Sequence, residues 1–158
     1  MKLWCQPSPF GDVTVVVSER GVREISLPGD DQPDGELTAP DRGIARQLDE
    51  WFSGKRHEFD LELDLEGVSG FRRLALETLA REVGWGETVT YGELADLAGR
   101  PRAARAAGSA MRDNPLPFVI PCHRVVAAGG RIGGYGGGRN AVALKRQLLG
   151  REGVTDLR

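Results

Sequence analysis

The sequence has few cysteines, few histidines and no long apolar run, and each shortage excludes a class of protein. No stretch of the 158 residues approaches the roughly 18–20 apolar residues that cross a bilayer. The opening residues also lack the apolar segment of a signal peptide. We therefore expect a cytoplasmic protein, in whose reducing surroundings a disulfide is unfavourable.

The cysteines and histidines that are present make a poor metal site. They number two each, Cys5 and Cys122 with His57 and His123, and no CxxC or HxxxH spacing joins them. Structural zinc usually takes four ligands at such spacings. The sequence therefore predicts neither a zinc site nor a cofactor.

Charge is unevenly distributed along the chain. Residues 1–69 carry 7 Lys/Arg and 15 Asp/Glu, whereas residues 70–158 carry 14 and 8. A basic second half suits a polyanionic partner, but two solvated surfaces of chance composition would show the same asymmetry. Charge alone leaves both interpretations open.

The first half has the pattern of a small sheet with one helix. Alternating apolar residues over 13–17 and 22–27 indicate a hairpin. Residues 28–41 are rich in Pro, Gly and Asp and indicate a loop. Helical spacing over 42–54 predicts a helix, and apolar alternation over 57–66 predicts a half-buried strand.

The second half has helical patterns. Residues 70–83 are spaced as a helix that ends at Gly84. Two short helices, 91–98 and another from about Pro101 to 112, are joined by a glycine-containing turn and resemble a helix-turn-helix. A last helix is expected after Asn140, whose side chain can cap it.

These patterns predict a two-part α+β protein. Residues 1–68 would form a small antiparallel sheet with a helix. Residues 69–158 would form a helical domain of winged-helix type.

The second short helix has unusually small side chains with arginines between them. Small residues allow close approach of the backbone to another surface, and arginines bind phosphates. Alanine-rich helices also pack inside domains, so this interpretation stays open beside nucleic-acid binding. A helix with so few long side chains would read little base sequence. The residues concerned are Arg102, Ala103, Ala104, Arg105, Ala106, Gly108 and Arg112.

The segment "PCHR" places a thiol beside an imidazole and a guanidinium. Nearby positive charge or an adjacent base makes a thiol nucleophilic, although most free cysteines are inert and buried. Neighbouring side chains of an extended chain point apart, so Cys122 and His123 could cooperate only through a turn after Pro121 or a bridging water. A third group, usually an acid, should orient the imidazole.

A glycine-rich segment follows the cysteine. Residues 129–138 contain seven glycines around Tyr135. With so little side-chain bulk, a flat ligand could lie against this backbone. No GK[ST] follows, so the segment is not a phosphate-binding loop.

The segment "NPLPFVIPCHRVV", preceded by "TYGELADLAGRPRAARAAGSAMR" and followed by "GGYGGG", closely resembles the O6-alkylguanine-DNA alkyltransferases, also called methylated-DNA–protein-cysteine methyltransferases. The resemblance is dense over 84–138 and loose over 1–70. It implies a ribonuclease-H-like N-terminal domain over 1–68 and an alkyltransferase domain with the helix-turn-helix over 69–158.

The resemblance also implies catalytic roles. Cys122 would accept the alkyl group from O6 of guanine, His123 would act as base through a water, and Glu152 would orient the histidine. Tyr91 would donate a hydrogen bond as guanine leaves, and Asn114 would hold the active-site turn. The thioether product is stable, so each molecule would act once.

The implied partner is double-stranded DNA with a flipped O6-alkylguanine, bound through the minor groove by a monomer that can cluster on DNA. Arg105 would fill the gap left by the flipped nucleotide. The small residues Ala103, Ala104, Ala106 and Gly108 would lie in the groove, with Arg102 and Arg124 as further DNA contacts. The guanine pocket would be walled by Tyr135, Gly136, Gly137 and Met111.

Three other functions compete with DNA repair. A non-enzymatic sensor of alkylated DNA on the same scaffold would lack the acceptor cysteine, which Cys122 argues against. A redox-sensing regulator would need a resolving cysteine, and Cys5 is far away in sequence. A cysteine hydrolase would need an oxyanion hole, which nothing in the sequence specifies.

Overall fold

Three short strands form an antiparallel sheet near the start of the chain. In the computed structural model, which describes residues 1–135 and 141–158, they are β1 (Lys2–Gln6), β2 (Val13–Ser18) and β3 (Gly21–Ser26). Strand β2 is central, and the predicted hairpin is its pairing with β3. Strand β1 had no counterpart in the sequence predictions.

Helix α1 (Arg42–Phe52) follows the loop, as predicted. Asp41 caps it, because its carboxylate accepts a hydrogen bond from Ile44 N at 3.1 Å. Its residues Leu48 and Trp51 are buried, as is Trp4 of β1. Met1–Leu65 make up one compact unit.

The predicted strand over 57–66 is wrong. Only an isolated parallel bridge joins Leu63 to Val22, supported by Val22 N donating to Glu62 O and Asp64 N donating to Val22 O. Asp64 and Leu65 are both buried. Two adjacent buried residues depart from the alternation expected of a strand with one wet face.

The second unit, Glu66–Arg158, is mainly helical, as predicted. Its short strands β4 and β5 pair in parallel, and a 3-10 turn precedes β5. The elements are α2 (Gly70–Glu82), β4 (Val89–Thr90), α3 (Tyr91–Leu97), α4 (Ala104–Arg112), the 3-10 turn Cys122–Arg124, β5 (Val125–Val126) and α5 (Ala141–Arg151).

The helix pair α3–α4 differs from its prediction at one end. Thr90 and Glu93 form a capping box at the start of α3. Helix α4 starts at Ala104 rather than near Pro101, because Arg102 has φ +74°. A residue in the left-handed region cannot continue a right-handed helix.

The mixed α/β architecture is thus confirmed. The ribonuclease-H-like and winged-helix assignments stay predictions, as does a boundary at residue 68. The capping role of Asn140 lies outside the described residues. Within 1–135 and 141–158, no helix has the length and apolarity to span a bilayer.

Candidate active site

Cys122 opens the 3-10 turn that follows Pro121. Cys122 N donates to Ile120 O at 2.7 Å, and Arg124 N donates to Pro121 O at 2.9 Å. Cys122 is buried. This is the turn that cooperation between neighbouring cysteine and histidine side chains requires.

The approach to the turn is held by Asn114. Its Nδ2 donates to Ile120 O at 2.9 Å, and its Oδ1 accepts from Leu116 N at 2.9 Å. Between these anchors, the buried Phe118 has φ +72°. A bulky residue in this conformation is strained and persists only where its surroundings enforce it, so the segment leading to Cys122 is tightly constrained.

His123 lies behind the cysteine against Glu152. The His123 Nε2 to Glu152 Oε2 distance is 2.6 Å, and both side chains are fully buried. Glu152 Oε1 accepts from Arg124 Nε at 2.8 Å and from Gly86 N at 3.0 Å. Arg124 and Gly86 N can only donate to this carboxylate, which favours its ionised form.

The ionisation of Glu152 fixes the state of His123. Burial alone would raise the pKa of Glu152, but hydrogen bonds from His123 and Arg124, together with the charge of Arg124, outweigh burial and the pKa is lowered to about 2. An ionised carboxylate only accepts, so Nε2 of His123 carries its proton and Nδ1 is the basic nitrogen. Burial lowers the pKa of His123 despite the opposing effect of Glu152, which leaves a neutral imidazole at pH 7.

The thiol itself is not pre-ionised. Burial raises the pKa of Cys122, against the opposing effects of a hydrogen bond with Asn114, the charge of Lys145 and a hydrogen bond with Tyr135. The resting pair is therefore a thiol and a neutral imidazole. Such a pair forms a nucleophile when a proton moves from sulfur to the base during reaction.

Lys145 is a site residue that sequence reasoning missed. It is fully buried in α5, and its Nζ donates to Val125 O at 2.6 Å and to Gly134 O at 2.8 Å. Burial lowers its pKa to about 8, while Cys122 opposes this shift. The available signal was a lysine among the apolar positions Ala141, Leu148 and Leu149 of one helix face.

A pocket of about 430 Å³ opens onto the cysteine. This volume lies within the range of about 300–1,000 Å³ that small-molecule sites occupy. Tyr91 OH donates to Gly134 O at 3.4 Å, and burial, followed by the charge of Cys122, raises the pKa of Tyr91, so it remains a phenol donor. The pocket is lined by Tyr91, Arg105, Gly108, Ser109, Met111, Arg112, Cys122, Gly134 and Tyr135.

Four of the residues predicted for the pocket and helix line this opening, namely Arg105, Gly108, Met111 and Tyr135. Met111 and Tyr135 line the pocket, and Gly136 and Gly137 lie outside the described residues. On α4 and the turn before it, Arg102, Arg105 and Ala106 are exposed, whereas Ala103, Ala104 and Gly108 are half-buried.

The predicted DNA contact of Arg124 is wrong. Its side chain is only 5% exposed. Nε and Nη2 bind Glu152, and Nη1 donates to Val83 O at 3.0 Å. A guanidinium held in this way inside the unit has no surface with which to meet DNA.

A metal site needs several ligating side chains close together. Within 1–135 and 141–158, no group of three or more His, Cys, Asp or Glu could hold a metal ion.

The fold and the site together define a protein with a cysteine at its candidate active site. This cysteine lines a pocket bordered by the helix pair α3–α4, and the neighbouring histidine is hydrogen-bonded to a carboxylate. The family model for the DNA-binding domain of 6-O-methylguanine DNA methyltransferase matches residues 71–154. The chain belongs to the methylated-DNA–protein-cysteine methyltransferase family.

Individual relatives extend this similarity. The Mycobacterium tuberculosis methylated-DNA–protein-cysteine methyltransferase is 47% identical over 107 residues, which span 68% of this chain but only 62% of that relative. The mouse protein of the same name is 38% identical over 98% of this chain and 82% of its own length. The crystal structure of M. tuberculosis OGT in complex with DNA has a TM-score of 0.86 and 36% identity, over 96% of this chain and 92% of that one.

Proposed function

We propose that this chain repairs O6-alkylguanine in double-stranded DNA by moving the alkyl group onto Cys122 in one irreversible step. The observation that carries the proposal is the position of Cys122 on a pocket bordered by α4, with the His123–Glu152 pair behind it. Relatives named methylated-DNA–protein-cysteine methyltransferase support it.

The bonds and protons balance without a cofactor. His123 Nδ1 takes the Cys122 proton through a water, and Sγ attacks the alkyl carbon. The S–C bond forms as the bond from carbon to O6 breaks, and the guanine anion takes up a proton with Tyr91 as donor. Proton exchange with solvent then returns His123 to its neutral form and reprotonates Tyr91, so that overall the thiol proton replaces the alkyl group on guanine. The thioether is stable, so the site cannot react again.

The helix α4 supplies the DNA side of the proposal. O6 lies within the base stack, so the nucleotide must leave the duplex to reach the pocket. Arg105 lines the pocket from α4 and would fill the gap from the minor groove. Arg102 and the small residues Ala103, Ala104, Ala106 and Gly108 would face the groove. The similarity to M. tuberculosis OGT, whose structure is in complex with DNA, supports DNA as the partner. The monomeric state and the cytoplasmic location stay predictions.

Intact mass spectrometry tests the reaction directly. The protein is mixed with a duplex carrying one O6-methylguanine, beside the Cys122→Ser variant. We expect a gain of one methylene unit, limited to one per molecule and absent in the variant. An unchanged mass, with binding still tighter to the damaged duplex than to its undamaged twin, would instead identify a lesion sensor with an idle cysteine.

A further inference from the structure

Arg124 is the one ionisable residue of the "PCHR" segment to which the proposed reaction gives no role. Its guanidinium nevertheless makes three hydrogen bonds to buried acceptors: Nε and Nη2 to Glu152 and Nη1 to Val83 O. Such a fork is specific to arginine, because lysine offers a point charge without fixed geometry.

We propose that Arg124 is a positioning residue that holds Glu152 by both oxygens and so keeps His123 in the neutral form that accepts the Cys122 proton. The inference rests on the proposed function for its catalytic meaning. The effect on His123 can be measured without DNA.

The first support is the way in which hydrogen-bond donors are distributed between the two oxygens of the Glu152 carboxylate. Oε1 accepts from Arg124 Nε at 2.8 Å and from Gly86 N at 3.0 Å. Oε2 is shared between His123 Nε2 at 2.6 Å and Arg124 Nη2 at 3.3 Å. The carboxylate is therefore fixed from two sides, and the plane in which it meets the imidazole is set largely by Arg124.

Gly86, whose N–H binds the Glu152 carboxylate, is also packed closely against the backbone of Glu152. Gly86 has φ +80°, and a Cβ there would lie 3.2 Å from Glu152 O. Val83 O, which anchors Arg124 Nη1, belongs to the residue that caps the end of α2. Arg124 thus links α2 and the residues after α5 to the turn that carries the cysteine.

The second support is electrostatic. A buried carboxylate that met only an imidazole would favour the imidazolium, since an opposite charge at hydrogen-bond distance stabilises the charged form. Arg124 supplies the balancing positive charge, and Lys145 adds a second one from α5. The groups that act on His123 are Glu152, Arg124 and Lys145, and the two cations both lower the pKa of the imidazole.

The test compares Arg124→Gln with Arg124→Lys. Gln removes the charge but keeps a polar side chain, whereas Lys keeps the charge and loses the fork. The imidazole pKa of His123 is followed by NMR without DNA. The chain has only two histidines, so a His57→Asn background leaves a single histidine signal. The second readout is the pH profile of single-turnover methyl transfer.

We expect Arg124→Gln to raise the His123 pKa by about one pH unit or more and to move the acidic limb of the transfer profile upward by the same amount. Arg124→Lys should return the acidic limb to its position in the unsubstituted protein, but the transfer rate on the plateau of the profile should be lower. The matched control is Arg56→Gln, since Arg56 also binds a glutamate, Glu50, through Nε and Nη2 at 3.3 and 3.2 Å. It lies in the N-terminal unit, so neither readout should move.

Several results would overturn the inference. One is a folded Arg124→Gln protein with unchanged His123 pKa and profile. Another is unchanged pKa together with weaker binding to undamaged duplex, which would make Arg124 a DNA contact after all. If Arg124→Gln does not fold, the NMR measurement on the unsubstituted chain can still contradict the proposal. It does so if His123 is an imidazolium at pH 7. Failure of the unsubstituted protein to transfer methyl would overturn the proposed function but not the effect of Arg124 on His123.

Discussion

The two units each bury one carboxylate, and the two carboxylates are held in opposite ways. Asp64 of the N-terminal unit accepts from the Ser18 hydroxyl and pairs with Arg23 at 3.7 Å, and the Arg23 side chain is 45% exposed. Glu152 of the C-terminal unit is paired with His123 and Arg124, whose side chains are almost wholly buried.

The difference shows how burial of a charge can serve structure or chemistry. Asp64 lies where the chain bridges to Val22 beside the hairpin, so its contacts close a loop. Glu152 contacts an imidazole next to a buried thiol, so its contacts set the protonation of a base. Replacing a buried carboxylate leaves its hydrogen-bond donors unpaired and is costly in both cases, but only the replacement of Glu152 should alter a reaction rate.

Among the substitutions that this comparison suggests, Glu152→Gln should have the largest effect on the rate of transfer. A neutral amide cannot stabilise the imidazolium that forms as Cys122 loses its proton, so single-turnover transfer should slow about 100-fold or more. Asp64→Asn should lower the free energy of unfolding by about 1–3 kcal/mol and leave the rate per folded molecule unchanged. Quench-flow assays and urea titrations of both variants measure the two quantities.

An effect of Asp64→Asn on the transfer rate would contradict the distinction between the two carboxylates. If Asp64→Asn slowed transfer as much as Glu152→Gln at equal folded fraction, the carboxylates would not be functionally distinct. Cys122→Ser, which has no acceptor thiol, gives the baseline of zero transfer in the quench-flow assays of both variants.

The same contrast explains what the sequence could reveal. Cys122 and His123 are adjacent, so local spacing was enough to single them out, whereas Glu152 is 29 positions from His123 and only the family resemblance assigned it. The DNA contact predicted for Arg124 with the family resemblance was wrong, because the sequence does not reveal that this side chain is buried. Lys145 gave the weakest signal, since helical lysines usually face solvent.

The fold was predictable where periodicity was strong and failed where single residues broke it. Helices α1, α2 and α3 have regular apolar spacing, and their predicted bounds lie close to those observed. The start of α4 was wrong because of the φ of Arg102, which composition does not show.

A second, smaller effect on the transfer rate should distinguish two exposed arginines, Arg105 of the C-terminal unit and Arg23 of the N-terminal unit. Arg105 lines the pocket from α4, and Arg105→Ala should slow transfer from duplex DNA about tenfold, because nothing then offsets part of the unstacking cost of a flipped base. Transfer from free O6-benzylguanine needs no flipping and should keep its rate. Arg23→Ala is the control and should change neither rate.

Equal slowing on the duplex and the free base would place Arg105 in the chemistry of Cys122 rather than in the handling of DNA. Unchanged rates on both substrates would remove it from the site altogether.

The smallest effect concerns Lys145, a buried lysine with no equivalent among the buried residues of the N-terminal unit. Its pKa is lowered to about 8, so above pH 8 the ammonium loses its proton and thiolate formation at Cys122 loses a supporting charge. Transfer should fall a few-fold between about pH 8 and 10. Over the same range the native state binds fewer protons than the unfolded chain, whose lysine titrates near 10.5, so the contribution of Lys145 to stability should rise with pH.

A falling rate combined with a rising Lys145 contribution to stability separates this effect from alkaline unfolding, in which both would fall. Rate profiles and urea midpoints of the unsubstituted chain and of Lys145→Met, taken at matched pH values, measure the two trends. The variant has no ammonium to lose, so its rate, although lower, should stay flat where that of the unsubstituted chain declines. A decline in both proteins would assign the alkaline limb to another group and leave Lys145 as a hydrogen-bond donor to Val125 and Gly134 alone.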